Sequence, residues 1–280
     1  MDKIVPNLTG VPETMLWTLH NRAGEAMRAD GVLRDPKTLE IYRALDYDYE
    51  SGFGKPEPSH AARAVVFDAE LRAFLAAHPD GVIVNLGEGL ETHRYRVEGE
   101  AALWITVDLP ESIAIRERFI APDDAHRHIA MSALDRRWFD AAPGDRPVCI
   151  TAQGLLMYLP PEEVAALVSD MAKRFPGARF IFDHIPRWVS QRTIAGYKPG
   201  PSFTVPPMPW GLDRSEIAPA LTRWTGADRV ETIDYRLYRG LRGLVFRGLM
   251  RLAFVRERLP AVTRLRFPAA AISPTQASHP

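Results

Sequence analysis

Apolar residues recur along this chain with two different periods, and stretches of the two kinds alternate. Short continuous apolar runs rich in β-branched residues are typical of strands buried on both faces of a parallel sheet. Strands are predicted at Val82–Leu86, Leu103–Val107, His128–Met131, Pro147–Ala152, Ala178–Asp183 and Val230–Tyr235. Helical stretches separate most of these runs. The pattern therefore predicts an α/β fold with a doubly wound, mostly parallel sheet, whose ligands bind at the carboxyl ends of the strands.

Helices are predicted where apolar residues return every three or four positions. These stretches are residues 13–29, Thr38–Leu45, Arg63–Ala77, Ser112–Phe119 and Pro161–Phe175. The first 60 residues contain two such helices and no good parallel strand. We therefore expect residues 1–60 to form an N-terminal helical cap and residues 61–280 to form the domain that contains the sheet.

The first predicted strand runs directly into Gly87-Glu88-Gly89, and the second ends at Asp108. Two glycines with one residue between them let the backbone approach a ligand that a side chain would exclude. An acid about 20 residues past the first glycine can bind the hydroxyls of an adenosine ribose. The alternative is a purely structural turn. The position of the third glycine of a dinucleotide-binding turn is Thr92, so the turn suits an adenosine group better than a pyrophosphate.

The composition and charge of the chain argue against several classes of function. The formal net charge is zero, which argues against nucleic-acid binding. The single cysteine, Cys149, lies in an apolar run and is interpreted as a buried structural thiol, and the pattern offers no cysteine and histidine cluster for a metal. The segment MDKIVPNLTG has no signal-peptide core, and no apolar run is long enough to span a bilayer. We expect a cytoplasmic protein without stable membrane insertion.

Two later segments leave alternatives open. Lys198–Trp210 contains five prolines and is either a lid or a connector. A basic amphipathic helix is predicted further on, with arginines at Arg236, Arg239, Arg242, Arg247 and Arg251. It either lies on a membrane surface or packs on its own domain with a solvated arginine face, and we favour the second. The tail from Pro268 is expected to be flexible and disordered.

Five segments now agree with one family. NLGEGLETHRYRV, VDLP, SALDRRW, TAQGLLMYL and FPGARFIFD follow one another at fitting intervals. Together they resemble the leucine carboxyl methyltransferase family, including its bacterial branch of tetracenomycin-type polyketide O-methyltransferases. The similarity runs from about Arg22 to Asp183 and more weakly to Tyr235. The resemblance implies a Rossmann-like class I methyltransferase fold that uses S-adenosylmethionine.

The resemblance also assigns groups of the cofactor to residues. Arg63 matches the arginine that binds the cofactor carboxylate, and Arg34 looks like a second basic contact from the cap. Gly87 and Gly89 would admit the methionine part, and Asp108 matches the acid that binds the ribose.

Several positions depart from the family pattern. Ser132 and Ala133 lie where the family places an Asp-Leu pair against adenine, and Gln153 lies where many members have a glutamate near the cofactor ammonium. Ser132 and Gln153 each replace an acid with a neutral polar group that can still accept a hydrogen bond, and they lower the negative charge around a cationic cofactor. After the glycines, the common D-T-R is Glu91-Thr92-His93 here.

The reaction implied is methyl transfer to a carboxylate or hydroxyl of a small molecule, with a polyketide-like molecule among the candidates. A carboxylate is ionised at neutral pH and needs no base, whereas a phenol, with a pKa of roughly 10, benefits from one. Carboxyl methylation is slightly favoured. Tyr158 and His184 are the candidate bases, and neither is assigned.

Two rival functions are considered. A nicotinamide-dependent reductase is expected to contain the third glycine and usually a Tyr-x-x-x-Lys pair, and neither is seen. A protein that binds S-adenosylmethionine without turnover would also be compatible with Ser132 and Gln153.

Overall fold

The computed structural model describes residues 3–235, 245 and 248–269. Its seven strands are β1 (Val82–Leu86), β2 (Leu103–Asp108), β3 (His126–Ala130), β4 (Val148–Ala152), β5 (Arg179–His184), β6 (Val230–Ile233) and β7 (Ala261–Arg266). They form one sheet in the order β3-β2-β1-β4-β5-β7-β6. The first five strands are parallel to one another, and β7 runs antiparallel to both β5 and β6. The expected doubly wound, mostly parallel sheet is confirmed.

The helices described are α1 (Thr14–Ala26), α2 (Pro36–Ala44), α3 (Tyr49–Phe53), α4 (Ser59–Ala77), α5 (His93–Arg96), α6 (Pro110–Arg116), α7 (Pro161–Arg174), α8 (Arg187–Ile194), α9 (Arg214–Thr225) and α10 (Ala253–Glu257). Short 3-10 helices lie at Arg136–Ala141 and Leu156–Tyr158. Within the described residues, no helix is both long and apolar enough to cross a membrane.

The central strands are buried because their side chains are covered on both faces. All residues of β1 and β4 are buried, and their register pairs Val84 with Ile150 and Asn85 with Thr151. The hydroxyl of Thr151 donates to Asn85 Oδ1 at 2.6 Å, which satisfies both polar groups inside the sheet. Such continuous burial explains why these strands read as apolar runs in the sequence.

The sequence pattern missed β7, and the structure places this strand between β5 and β6. Its positions pair Phe182 with Thr263 and Phe180 with Leu265. The strand mixes apolar residues with Thr263, Arg264 and Arg266, so no continuous apolar run marks it. Its position depends on pairing with residues far away in sequence, which local periodicity cannot report.

Two other segments refine the sequence interpretation. The segment between α2 and α4, for which the sequence pattern predicts no helix, contains the short helix α3, whose N-cap Asp48 accepts from the Ser51 N–H at 3.1 Å. The proline-rich stretch Lys198–Trp210 has no regular structure but packs inward, with Phe203 and Met208 buried. Most of the predicted basic helix lies outside the described residues, as does the tail beyond residue 269.

Candidate active site

A cavity opens where β1, β2 and β4 end at their carboxyl edge, which is the position expected for a ligand in a doubly wound fold. The turn after β1 and the loop after β4 form one side of it. The start of α1 and the buried part of the proline-rich segment form the other. Its wall includes Arg63, Gly87, Gly89, Asp108, Ser132 and Gln153.

The glycine turn after β1 is held in a left-handed conformation. Gly87 has φ +63° and Gly89 has φ +51°, values that strongly favour glycine. A Cβ on Gly87 would lie 2.9 Å from Leu155 Cδ1, and one on Gly89 would lie 3.1 Å from Met15 Cβ. Both glycines are therefore required by backbone conformation and by packing, in addition to lining the cavity.

Asp108 fixes this turn from the end of β2. Its Oδ2 accepts from the Gly89 N–H at 2.7 Å and its Oδ1 from the Leu109 N–H at 2.8 Å. Burial raises the pKa of Asp108, and these hydrogen bonds partly oppose that rise. Arg116 supports the same turn by donating to the carbonyls of Gly89 and Glu91 at 2.7 and 2.8 Å. A carboxylate retains further acceptor sites for a ligand after these two bonds.

Arg63 reaches the cavity from α4 and is anchored by Asp183 at the end of β5. Its Nη1 donates to Asp183 Oδ2 at 2.8 Å, while Asp183 Oδ1 accepts from the Gly154 N–H at 2.5 Å. Arg63 Nε is buried and has no hydrogen-bond partner in the described chain. An arginine held by one nitrogen and with further donors available is suited to bind a carboxylate.

Gln153, from the loop after β4, is held by an acid that the sequence analysis did not assign to the site. Its Nε2 donates to Glu91 Oε2 at 2.8 Å, and both residues line the cavity. Gln153 Oε1 is buried without a hydrogen-bond partner among the described residues. The amide therefore presents an unsatisfied acceptor beside an ionised carboxylate, which is favourable for an ammonium group.

Glu91 belongs to a buried cluster of charges between the first helices and the sheet domain. Its Oε1 accepts from Arg22 Nη1 at 2.5 Å and from Arg96 Nη2 at 2.8 Å. Arg96 also pairs with Asp35 at 2.5 Å and Asp68 at 2.7 Å. Burial alone would raise the pKa of Glu91, but Arg22 and Arg96 outweigh it and hold that pKa well below its usual value.

The structure does not bring Arg34 to this cavity. Arg34 is exposed, whereas its neighbours Leu33 and Asp35 are buried. Asp35 points inward because it caps α2 through the Thr38 N–H at 2.8 Å and pairs with Arg96. Successive side chains in an extended segment point to opposite sides, so Arg34 is turned away.

The two candidate bases also differ from expectation. His184 is not part of the cavity wall; it is the buried last residue of β5, with its Nδ1 3.1 Å from Thr263 Oγ1 of β7. Burial lowers the pKa of His184 to about 3. Tyr158 does line the cavity, and burial raises the pKa of its phenol to about 12. A phenol that holds its proton so firmly is a poor base at neutral pH.

His60 is a cavity residue that the sequence did not reveal. The Glu57 N–H donates to Asn21 Oδ1 at 2.9 Å, which orients the Asn21 amide so that its Nδ2 donates to His60 Nδ1 at 2.8 Å. Burial, with Arg63 nearby, lowers the pKa of His60 well below its usual value. The neutral ring therefore carries its proton on Nε2 and is a donor toward the cavity. It lies three residues before Arg63, on the same face of α4.

Ser132 and Ala133 follow β3 and line the cavity near the end of β2. The Ser132 hydroxyl accepts from the Leu134 N–H at 3.2 Å, so it shapes its own turn. Ala133 is buried and contributes an apolar surface. The structure thus brings together every proposed cofactor residue except Arg34.

Sequence comparison decides the family. The leucine carboxyl methyltransferase family model matches residues 18–172, more than half of the chain. The chain belongs to the leucine carboxyl methyltransferase family. The tetracenomycin polyketide synthesis O-methyltransferase TcmP of Streptomyces glaucescens is 32% identical over 184 residues, which cover 65% of this chain and 68% of TcmP. The S-adenosyl-L-methionine-dependent methyltransferase dpfgK of Gibberella zeae is 30% identical over 193 residues, covering 62% of this chain and 65% of that protein.

The fold agrees with that membership. A provisionally assigned methyltransferase of Thermobifida fusca superposes with a TM-score of 0.56 at 15% identity, covering 93% of this chain and 95% of that one. A second crystal structure, from Streptomyces avermitilis, gives a TM-score of 0.53 at 14% identity, covering 89% and 97% of the two chains. At such low identity these similarities concern the fold alone, and they confirm a Rossmann-like methyltransferase fold.

The family's cofactor is S-adenosylmethionine, and the cavity has the donors and acceptors that this molecule needs. A cationic sulfonium compound with an ammonium and a carboxylate suits an acceptor at Gln153 and donors at Arg63 and His60. Two of these groups, Gln153 Oε1 and Arg63 Nε, are buried atoms without a partner in the described structure. Buried polar atoms are rarely left unsatisfied, so these point to a polar ligand.

Proposed function

We propose that this protein is an O-methyltransferase that methylates a carboxylate of a small molecule. S-adenosylmethionine supplies an electrophilic methyl group. Asp108, Gln153, Arg63 and His60 hold the cofactor at the ends of the strands. The acceptor would then enter from the side of α1 and meet the methyl group in line, since positioning supplies much of the rate in such a transfer.

The observation that carries this proposal is the protonation of two side chains in the cavity wall, Tyr158 and His60. Tyr158 keeps its proton because its pKa is about 12, and His60 presents an N–H rather than a lone pair. Neither can remove a proton from a hydroxyl at neutral pH. A carboxylate acceptor needs no such step, because it is already ionised.

The side of the cavity formed by α1 indicates the character of the acceptor. Met15 and Trp17 of α1 line it together with Met208 of the proline-rich segment, and Met157 and Leu159 line the cavity from the loop after β4. Thioether and aromatic groups favour flat apolar molecules and adapt to their shape. This supports an acceptor with an aromatic or polyketide-like body, the class that the name of the relative TcmP indicates for that protein.

A hydroxyl acceptor is the second candidate, and one residue favours it. His93 lines the cavity, and its Nδ1 lies 2.6 Å from Asp68 Oδ1. Its Nε2 is buried and has no hydrogen-bond partner in the part of the chain that is described. An imidazole oriented in this way by a carboxylate can act as a general base.

The proposal includes two expectations from the sequence. Residues 1–60 would act as a cap, since α1 lines the cavity and Arg22 connects this segment to Glu91. The acceptor would be a free small molecule, and the protein would work in the cytoplasm.

The stability of the methylated product in mild alkali distinguishes a carboxylate acceptor from a hydroxyl acceptor. The protein is incubated with S-adenosylmethionine carrying a labelled methyl group and with matched pairs such as 2-naphthoic acid and 2-naphthol. A methyl ester releases labelled methanol in mild alkali, whereas an aryl methyl ether retains the label. We expect alkali-labile label from the carboxylic acids only.

Label in alkali-stable ethers would overturn carboxyl methylation and favour the hydroxyl acceptor. In that case His93→Gln should lower kcat by at least about 100-fold, because a general base contributes roughly that much. With a carboxylate acceptor the same substitution should affect kcat far less.

A further inference from the structure

A second cavity lies at the end of the parallel strands that is opposite to the cofactor cavity described above. It opens where β4 and β5 begin and where the antiparallel β7 ends, so Val148, Arg179 and Arg266 mark its position. The end of α4 and the segment that follows α7 complete its wall. The cofactor cavity lies at the carboxyl ends of the parallel strands, so the length of the strands separates the two cavities.

The wall of this second cavity carries four arginines and no acidic residue. The arginines are Arg146, Arg174, Arg179 and Arg266, which come from four separate segments of the chain. Among the described residues one acid pairs with them: Asp140 lies 3.9 Å from Arg174, and its side chain is 88% exposed. An ion pair as long and as exposed as this neutralises little charge. The cavity therefore concentrates positive charge in a protein whose formal net charge is zero.

Three of these arginines are anchored by backbone carbonyls instead of carboxylates. Arg146 donates to the carbonyls of Asp80 and Ala101, and Arg266 Nε donates to the Gly177 carbonyl at 3.0 Å. Arg179 Nη1 lies 3.3 Å from the carbonyl of Glu70. Such contacts orient a guanidinium without cancelling its charge. The arrangement is pre-organised for an anion, because the remaining N–H groups are available to it.

Glu70, whose backbone carbonyl contacts Arg179, does not neutralise the four arginines of the cavity wall. The carboxylate of Glu70 accepts two hydrogen bonds from Arg264 Nη1, at 2.8 and 3.0 Å. Arg264 is not part of the cavity wall. Glu70 is thus paired with a different arginine, and only its backbone carbonyl contacts Arg179.

The floor of the cavity is apolar and aromatic. Phe74 and Phe175 line it, with Pro147 and Pro176 beside them. Two guanidiniums lie over these rings, with the Arg179 Cζ 5.7 Å from the centroid of Phe74 and the Arg174 Cζ 5.1 Å from that of Phe175. Stacking of this kind holds the guanidiniums above a flat surface. The exposed Pro147 and Pro176 offer the remaining apolar surface, so a ligand with both an anionic group and an apolar part would match this cavity.

We propose that this second cavity is a binding site for a small organic phosphate, a phosphate monoester with a flat or apolar organic part. The dianion would contact Arg266, Arg174 and Arg146, and the organic part would lie against the exposed Pro147 and Pro176. Phosphate is favoured over a single carboxylate because four unneutralised guanidiniums exceed the charge that one carboxylate can balance. The site is independent of methyl transfer and of the acceptor.

Phenyl phosphate is the probe, titrated into the full-length protein by calorimetry at low ionic strength, where electrostatic binding is strongest. We expect saturable binding of one phenyl phosphate per chain. Inorganic phosphate, which lacks the ring, should bind at least about fivefold more weakly, and phenol, which lacks the charge, should not bind detectably.

Arg266→Gln and Arg174→Gln should each weaken phenyl phosphate binding by at least about tenfold, because each removes a charge-assisted contact. Both side chains are exposed, so neither substitution should disturb folding. Arg43→Gln is the matched control, since Arg43 is an exposed arginine of α2 outside this cavity. Unchanged affinity for S-adenosylhomocysteine in all three variants shows that the fold is intact.

Three results would overturn the proposal. The first is the absence of saturable heat with phenyl phosphate, and the second is binding to Arg266→Gln and Arg174→Gln as tight as binding to Arg43→Gln. Competition between phenyl phosphate and S-adenosylhomocysteine would place the probe in the cofactor cavity instead.

Discussion

The side-chain amide of Gln153 donates to Glu91 Oε2 at 2.8 Å, and this bond leaves the amide oxygen of Gln153 without a partner in the described structure. The pair explains how a neutral residue can occupy a position where many family members have a glutamate. Because Glu91 is ionised and lines the same cavity, negative charge is retained one hydrogen bond away from Gln153. Glu91, which stands at the acidic position of the family's D-T-R, thus orients the Gln153 amide and leaves its oxygen as an acceptor for a cation.

The first prediction concerns this pair. Gln153→Ala removes the free acceptor and the donor to Glu91. Affinity for S-adenosylhomocysteine should fall by about tenfold or more, the usual effect of losing a hydrogen bond to a charged group. Titration calorimetry measures it. Gln191→Ala, at an exposed position of α8, is the matched control and should bind normally. Equal affinities of the two variants would remove Gln153 from the site.

The second prediction concerns the ribose. In Asp108→Asn, one side-chain position becomes an N–H donor that faces the Gly89 or Leu109 N–H, so a bond that orders the turn is lost. We expect affinity to fall by at least about tenfold for both S-adenosylhomocysteine and methylthioadenosine, because both contain the ribose. Calorimetry with the two ligands checks this, and an affinity within twofold of the wild type would contradict the assignment.

The third prediction concerns the cofactor carboxylate. Arg63→Met should weaken binding of S-adenosylhomocysteine but leave methylthioadenosine almost unaffected, because the latter lacks the carboxylate. The single variant also leaves Asp183 buried and unpaired, which costs about 3–5 kcal/mol of unfolding free energy. Arg63→Met with Asp183→Asn removes both charges and should recover part of that stability. If the double variant binds both ligands as the wild type does, Arg63 is purely structural.

The sequence predicted well the features that depend on local pattern. The strands β1, β2 and β4 were recognised as continuous apolar runs because both of their faces are buried. The Gly87–Gly89 turn and Asp108 were found through a spacing that the backbone geometry itself requires. In contrast, β7 was missed because its place between β5 and β6 depends on residues distant in sequence.

The roles of three site residues were not predicted for a different reason, because these roles depend on contacts that only the folded chain makes. Arg34 was assigned by its position in a motif, but the direction of its side chain follows from Asp35, which caps α2. His60 was overlooked because a lone histidine carries no signal until Asn21 and Arg63 surround it. Glu91 was recorded only as a departure from a motif. Its role depends on the buried arginines around it, which tertiary structure alone brings together.

The fourth prediction tests Tyr158 as a base. Because burial holds the pKa of its phenol at about 12, Tyr158 should stay protonated throughout the neutral range. Tyr158→Phe should therefore change kcat by less than about tenfold, since removing a true general base costs about 100-fold or more. Steady-state kinetics with the acceptor found by the labelling experiment checks this. A loss above 100-fold, together with a changed pH profile, would restore Tyr158 as the base.

The last prediction concerns stability at acidic pH and involves His184. Burial lowers the pKa of His184 to about 3 in the folded protein, whereas an unfolded histidine has a pKa near 6.5. Between these values the unfolded chain binds a proton that the folded chain does not, so the stability is fully present above about pH 6.5 and is lost as the pH falls. One such histidine contributes a slope of about 1.4 kcal/mol per pH unit.

His184→Asn can retain a polar contact with Thr263 but cannot titrate in this range. Urea unfolding at steps from pH 8 to pH 5 should show a slope below pH 6.5 that is about 1.4 kcal/mol per unit shallower in the variant than in the wild type. His60, whose pKa is also lowered well below its usual value by burial, contributes a similar dependence in both proteins and cancels in the comparison. The free energies at pH 8 serve as the reference, because there both states hold a neutral histidine. Parallel curves for the two proteins would mean that His184 is protonated in the folded state, which its burial at the end of β5 makes costly.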